Sequence, residues 1–192
     1  MKVDLILPIN KNTFIIVFLL LLYHGVHAQI YFTRTGNISF YSDTPLEKID
    51  ALNRSSTIIL DFETGKVESA TLIKGFQFEK ALMQEHFNEN YMESNKYPKA
   101  VFQGKFMNYE FIDPEKTGTH ACQVVGELTI RDKTKQIEAP CSIEIKDGSV
   151  HVNTVFEVQV ADFGITIPSV VRDKIAKTLE VKVVGQLEKL SK

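Results

Sequence analysis

The stretch HFNENYMESNKYPKAVFQG, residues 86–104, holds the densest group of side chains that could do acid–base or metal chemistry. His86 and Glu89 lie three residues apart in a segment that favours a helix, and together they could supply half of a metal site. A complete site needs three or four ligands, and no others have a matching spacing. His120 and Cys122 form a second such pair and fail by the same count. The sequence therefore predicts packing and hydrogen-bonding roles for these residues, and neither a metal nor another cofactor.

Catalytic motifs are also missing from the sequence. It has no serine elbow, no glycine-rich phosphate loop and no His-Glu-x-x-His pattern. Asp162-Phe163-Gly164 matches a kinase triplet in composition, but the glycine loop and the catalytic loop that would accompany it are lacking. We interpret it as a tight turn at a strand end. We therefore predict that the protein is not an enzyme, with an unrecognised hydrolase as the remote alternative.

The elements that must position these side chains are one helix and the strand after it. Residues 79–87 are rich in helix formers and predict a short helix. Asn88-Glu89-Asn90 is expected to end it, because asparagine tolerates the left-handed conformation of a helix C-terminus. Pro98 forces Tyr97 into an extended conformation, which predicts a strand over residues 99–109. Every residue type in the stretch thus has a structural use.

Most of the remaining sequence alternates apolar and polar residues, the pattern of strands with one buried and one exposed face. Arg131-Asp132 and Asp147-Gly148 are predicted as tight turns between such strands, which indicates an antiparallel meander. A short helical turn is expected at residues 46–52. Seven or eight strands with one helix leave two architectures open, a sandwich or a closed barrel. The predicted strands are residues 37–42, 56–62, 66–73, 99–109, 124–130, 137–145, 150–160 and 179–183.

The N-terminal residues and the charge limit the class of protein further. Residues 13–22 form an apolar run too short for a membrane span, and a small residue at Ala28 suits cleavage, so residues 1–28 are predicted to be a signal peptide. An uncleaved anchor is the alternative. Residues 29–192 are then one exported domain, periplasmic or secreted, without a stable membrane anchor. The formal net charge of −2 gives no basic footprint for nucleic acid. The sequence does not indicate an oligomeric state.

Three motifs resemble those of one family. The segment ALMQEHFNENYMESNKYPKAVFQG resembles the helix-to-strand signature of the YceI-like family of exported lipid- and polyisoprenoid-binding proteins. GELTIRDKTKQIEAP (residues 126–140) resembles its hairpin, and ADFGI (residues 161–165) resembles its Asp-Phe-Gly-Ile loop. Two segments depart from the family pattern. GNISFYS stands where the first strand of the family usually carries a His-Ser pair, and Arg131-Asp132 stands in a turn where the family usually has a glycine. The residues matching the first signature are His86, Phe87, Lys96, Tyr97, Pro98 and Phe102.

The resemblance implies an all-β fold, an extended eight-stranded antiparallel lipocalin-like barrel with one short helix. It also implies an apolar cavity that takes an isoprenoid or another long-chain amphiphilic lipid without catalysis. A barrel with a filled core and a structural or protein-interaction role is the alternative, because the same residue types fill cores and line pockets. Bulk and inward parity select the residues expected to line the cavity: Phe40, Phe102, Leu128, Phe156 and Val158.

The two cysteines are candidates for a disulfide. If Arg131 and Asp132 are the central residues of the turn, Ile130 faces Lys133, and Cys122 then faces Cys141 directly. Opposed residues at a hydrogen-bonded position have Cα atoms about 5.5 Å apart, which a disulfide accepts. An oxidising compartment favours the bond. The alternative is a pair of buried free thiols that pack as small hydrophobic groups.

Overall fold

The computed structural model describes residues 29–190, so the predicted signal peptide and its cleavage site lie outside the described residues. Within this range the chain is mostly β-strand, and its helix α1 (Ala81–His86) continues into a π-helical turn, Phe87–Tyr91. No helix in the described residues is long and apolar enough to cross a membrane. The strands are β1 (Ile30–Asp43), β2 (Lys48–Asp61), β3 (Lys66–Leu72), β4 (Gln77–Phe78), β5 (Lys99–Phe106), β6 (Gly118–Ile130), β7 (Lys133–Lys146), β8 (Ser149–Gln159) and β9 (Thr178–Lys189).

The sheet closes into a barrel. Its strand order is β1-β9-β8-β7-β6-β5-β3-β2, and β1 also pairs with β2, so eight strands form a complete antiparallel ring. The two-residue strand β4 is an extra strand, attached to β2 through Ala51–Phe78 and Leu52–Gln77. The predicted eight-stranded antiparallel barrel with one short helix is confirmed. The pairing of β1 with β2 settles the choice between sandwich and barrel, because closure removes both exposed edges.

Two local predictions were wrong. The helical turn expected at residues 46–52 is instead the start of β2, because pairing with β1 and β4 overrides the local propensity of this segment. The helix does not end at Asn88-Glu89-Asn90, because these residues lie inside the π turn and none has a positive φ; the Asn88 Nδ2 donates a hydrogen bond to the Gln84 carbonyl at 2.9 Å. The chain reverses at Glu93, which has a φ of 47°. The predicted strand does begin directly after Pro98, at Lys99, but it ends at Phe106 and not at residue 109.

The connections between strands give the barrel two different ends, since antiparallel strands change direction at each step. One end, which we call the closed end, carries connections 62–65, 107–117 and 147–148. The other end, which we call the open end, carries connections 44–47, 73–98, 131–132 and 160–177. Helix α1 and strand β4 therefore both belong to the open end. The two longest connections lie at this end, and they can hold the walls apart.

The closed end is filled by packed aromatic rings. Tyr31 packs edge to face on Phe62 at a centroid distance of 5.5 Å, and Phe62 packs on Phe106 at 5.2 Å. Tyr109 adds a fourth ring, 6.0 Å from Phe106. The Tyr31 hydroxyl donates a hydrogen bond to the Pro114 carbonyl, at 3.3 Å, so its polar end is satisfied although the residue is buried. This cluster blocks the barrel axis.

The three family-like motifs meet at the open end around one arginine. Arg131 lies in the turn between β6 and β7, where both central residues have positive φ, 49° and 62°. Its guanidinium pairs with the Glu93 carboxylate, donates to the Gly164 carbonyl at 3.0 Å, and lies 5.6 Å from the Tyr97 ring centre. The side chain is only 15% exposed. The departure from glycine at this turn thus adds a side chain that ties three connections together.

Candidate functional site: an apolar cavity

The barrel encloses a cavity of about 530 Å³ that runs from the aromatic cluster of the closed end to helix α1 at the open end. Phe106, Leu60 and Val67 form its floor, and Met83 and Phe87 lie at its mouth. The volume falls within the range of pockets that hold small molecules, about 300–1,000 Å³. Inward residues of alternating strands form the wall, so its surface is almost entirely apolar. Such a site suits an apolar chain better than a polar metabolite.

All five residues expected to line the cavity lie in its wall: Phe40, Phe102, Leu128, Phe156 and Val158. The structure brings them together from β1, β5, β6 and β8. Leu128 and Val158 also pack against Phe163 of the Asp-Phe-Gly segment, and these two residues are less than 10% exposed. These two side chains therefore stabilise the wall by packing as well as presenting apolar surface to the cavity. Contact of these residues with a ligand stays a prediction.

An aromatic cluster at the mouth was not foreseen from the sequence. The Phe40 ring stacks on Phe87 at 5.5 Å and contacts Phe76 at 5.4 Å, and Phe78 lies 5.0 Å from Phe87. Sequence reasoning selected Phe40 for the cavity but missed the other three as site residues. The signal was the pair of phenylalanines two residues apart just before the helix, which places both on one face of a short extended segment. The four rings together surround the mouth of the cavity with apolar surface.

Charged groups of the cavity lie at its rim. The Lys80 ammonium pairs with the Glu47 carboxylate at 2.9 Å and ties the start of α1 to the turn between β1 and β2. The hydrogen bond from Lys80 lowers the pKa of Glu47, and the nearby Lys174 charge acts in the same direction. The same bond raises the pKa of Lys80. The rim therefore carries two cations and one carboxylate around an apolar interior.

His86 with Glu89 and His120 with Cys122 were the residue pairs considered as half of a metal site, and the sequence predicts packing roles for them instead. His86 is exposed at the mouth of the cavity. The residues that follow it connect helix α1 to strand β5. Across residues 29–190, no group of three histidine, cysteine, aspartate or glutamate side chains is placed to hold a metal ion. The arrangement offers hydrophobic contacts inside and hydrogen bonds at the rim.

Cys122 and Cys141 lie directly opposite each other on β6 and β7, in the register predicted from the turn. The structure joins them by a disulfide with a Cα–Cα distance of 5.0 Å. Cys141 also contributes to the cavity wall. The bond therefore fixes two strands of the wall to each other. Its formation in solution stays a prediction, tested below.

A closed eight-stranded barrel with a single-ended apolar cavity defines a lipocalin-like class of protein. The sequence matches the model of the YceI-like domain over residues 25–187, and the chain belongs to the YceI-like family. No curated protein matches the sequence significantly.

Solved structures share this fold. A polyisoprenoid-binding domain from Saccharophagus degradans, implicated in plant cell wall breakdown, is similar with a TM-score of 0.74 and 11% identity, over 85% of this chain and 99% of that one. BcnA of Burkholderia cenocepacia has a TM-score of 0.65 and 13% identity, over 80% and 96%. The YceI protein of Campylobacter jejuni has a TM-score of 0.54 and 18% identity, over 82% and 86%. Identities this low show the fold alone.

Proposed function

We propose that the protein is a carrier that holds one isoprenoid or other long-chain amphiphilic lipid in the barrel and does not transform it. The observation that carries this proposal is the cavity of about 530 Å³, which is apolar over almost all of its surface and charged at one rim. The tail lies along the barrel axis, and the polar end of the lipid stays at the rim near Glu47, Lys80 and Lys174. The name of the polyisoprenoid-binding neighbour agrees with this ligand class.

The physical basis of binding is the removal of the tail from water. Each buried methylene contributes about 0.8 kcal/mol, so affinity is expected to rise with tail length until the tail reaches the floor at Phe106. Longer tails then gain nothing further inside the barrel. The alternative of a barrel with a filled core is disfavoured by the size of the cavity. Among the described residues, no observation favours a hydrolase.

Native mass spectrometry of protein purified from its own host tests the ligand directly. We expect a mass increment that organic solvent releases as a lipid. Val181→Trp places an indole inside the cavity and is expected to abolish that increment. Val184→Trp is the matched control, because Val184 lies on the same strand with its side chain 37% exposed. A clean apo mass in the wild type, or equal retention in both variants, would contradict the carrier function.

We also propose that the protein works after export, in the periplasm or outside the cell. The signal-like residues 1–28 support this proposal, and a disulfide between Cys122 and Cys141 agrees with an oxidising compartment. The intact mass of the purified native protein should correspond to a chain that begins at Gln29. A mass that retains residues 1–28, or recovery in the cytoplasmic fraction, would contradict export.

A further inference from the structure

The ladder between β7 and β8 covers only part of these two strands. It runs from the Lys146–Ser149 rung to the Cys141–Thr154 rung. In contrast, β7 pairs with β6 up to the turn, and β8 pairs with β9 along its whole length. Within the described chain, residues 133–140 of β7 and 155–159 of β8 therefore each have a paired neighbour on one side only.

Pro140 explains why the ladder stops there. The tight turn at Asp147-Gly148 makes the Lys146–Ser149 rung hydrogen-bonded, and every second rung after it is of the same kind. The next rung after Cys141–Thr154 would join residues 140 and 155, and it would be hydrogen-bonded. Proline has no N–H to donate. The Pro140 carbonyl instead accepts a hydrogen bond from the Thr154 hydroxyl, at 2.8 Å.

The result is a seam without backbone hydrogen bonds, which we call the side window, and the Phe163 ring, 2% exposed, packs against it. The Cys141–Thr154 rung bounds it towards the closed end. Towards the open end, the segment that follows β8 lies beside β7, and Asp162 of this segment pairs with Lys135 of β7 at 3.4 Å. Arg131 holds the same segment through the Gly164 carbonyl. The apolar side chains beside the window are Ile137, Phe156, Val158 and Phe163.

The cavity extends to this gap. Ile137, Phe156, Val158 and Phe163, the apolar side chains beside the window, all line the cavity. The window therefore adjoins the proposed lipid site.

We propose that the side window between β7 and β8 is the portal through which the lipid tail enters and leaves the cavity; this inference rests on the proposed carrier function. Opening the window breaks no backbone ladder, and the Lys135–Asp162 pair across it is exposed and weak. The mouth is crossed by the Glu47–Lys80 pair and by the hydrogen bond from the Ala176 N–H to the Ser42 hydroxyl, at 2.8 Å.

A peptide strand is a poorer occupant of the same gap. The unpaired part of β7 carries Lys133, Lys135 and Pro140, and lysine and proline are the residues that protect strand edges from pairing with another chain. The residues that face the interior beside the window are apolar instead. The chemistry of the gap therefore fits an alkyl chain that passes through it.

A cross-link across the window tests the proposal. Extending the register of the ladder places Glu138 opposite Glu157, both exposed, so Glu138→Cys/Glu157→Cys should form a disulfide that closes the window. The matched control, Val155→Cys/Lys182→Cys, cross-links β8 to β9, which are already paired at this position, on the outer face of the barrel. The probe is cis-parinaric acid, whose fluorescence reports uptake and release. We expect the window lock to slow both rates about tenfold with little change in affinity, since a portal affects the barrier. The control cross-link should leave both rates unchanged, because it closes no gap in the wall.

Two further variants do not depend on cross-linking. Pro140→Val restores the missing N–H and should slow exchange, whereas Asp162→Asn removes the ion pair across the window and should accelerate it. Equal slowing by the window lock and the control cross-link, or unchanged rates in the window lock and Pro140→Val, would overturn the portal while the carrier function stands. If the wild-type protein takes up no amphiphile in the equilibrium titration, the carrier function itself is wrong and the portal falls with it.

Discussion

Aromatic residues line the barrel axis at both ends of the molecule, but they fill the interior at one end and surround a cavity at the other. At the closed end, Tyr31, Phe62 and Phe106 pack edge to face and are at most 4% exposed. At the open end, the rings of Phe40 and Phe87 stand around a cavity. The connections decide the difference. Tight turns such as 62–65 and 147–148 let the closed-end side chains meet on the axis, whereas the long segments 73–98 and 160–177 spread the open end.

The two ends also differ in how neighbouring strands are held. Towards the closed end, β7 and β8 share a continuous backbone ladder. Towards the open end the ladder stops, and side-chain contacts such as Arg131–Gly164 and Lys135–Asp162 take its place. Side-chain pairs at the surface contribute less than a packed core and open at lower cost. We therefore expect the closed end to contribute most of the stability and the open end to admit the ligand.

The sharpest test truncates one phenylalanine at each end. Phe106→Ala removes a ring that is 1% exposed and is expected to cost about 3–5 kcal/mol of unfolding free energy, the usual range for a buried phenylalanine. Phe40→Ala is expected to cost far less, because its ring already faces the cavity, and to weaken lipid binding instead. Urea denaturation of both variants measures the difference. Equal losses of stability would show that the two ends are packed alike.

The disulfide is expected to have the next largest effect. Cys122 and Cys141 are separated by 19 residues, and closing a loop of this size contributes about 3 kcal/mol in the chain-entropy model. Replacing both cysteines by alanine should lower the unfolding free energy by this amount while lipid still binds. Thiol counting in denatured, unreduced protein should find no free thiol. Two reactive thiols would mean that the register brings the cysteines together for packing only.

Much of the fold could be predicted because one face of each strand is buried. Alternation alone located β8, and the turn at Arg131-Asp132 fixed the register that places Cys122 opposite Cys141. The interior parity of Phe102 and Phe156 followed from the same rule, since a slip of one residue would expose every apolar side chain.

The remaining features depend on partners that are distant in sequence. Residues 46–52 form a strand because β1 and β4 pair with them, which no local pattern shows. Arg131 meets Glu93 and Gly164 only after three connections converge at the open end. Pro140 is an exception, because a proline inside an alternating run does indicate a broken ladder. That signal was present in the sequence and was not used.

Ion pairs offer a smaller test of the same comparison. Arg131→Ala removes a guanidinium that is 15% exposed and ties three open-end connections, and its loss should cost about 1–2 kcal/mol. Lys189→Ala is the control at the closed end, where the lysine is 44% exposed and pairs with Glu115 at 2.8 Å; its loss should cost clearly less than that of Arg131. Both effects are measured by urea denaturation. A larger cost at Lys189 would show that the open end does not rely on side-chain ties.

The smallest expected effect concerns the rim pair and pH. The hydrogen bond from Lys80 holds the pKa of Glu47 below its ordinary value of 4.5, so the pair stabilises the fold above pH 4.5 and is lost as the pH falls through the lowered pKa. The Lys80 pKa is raised above 10.5 by the same bond, so its contribution is complete below pH 10.5 and is lost as the pH rises further. Between these limits the rim keeps its geometry. Carboxyl NMR should therefore give a Glu47 midpoint below 4.5 that moves upward in Lys80→Ala, whereas an unchanged midpoint would show that the mouth is not tied by this pair.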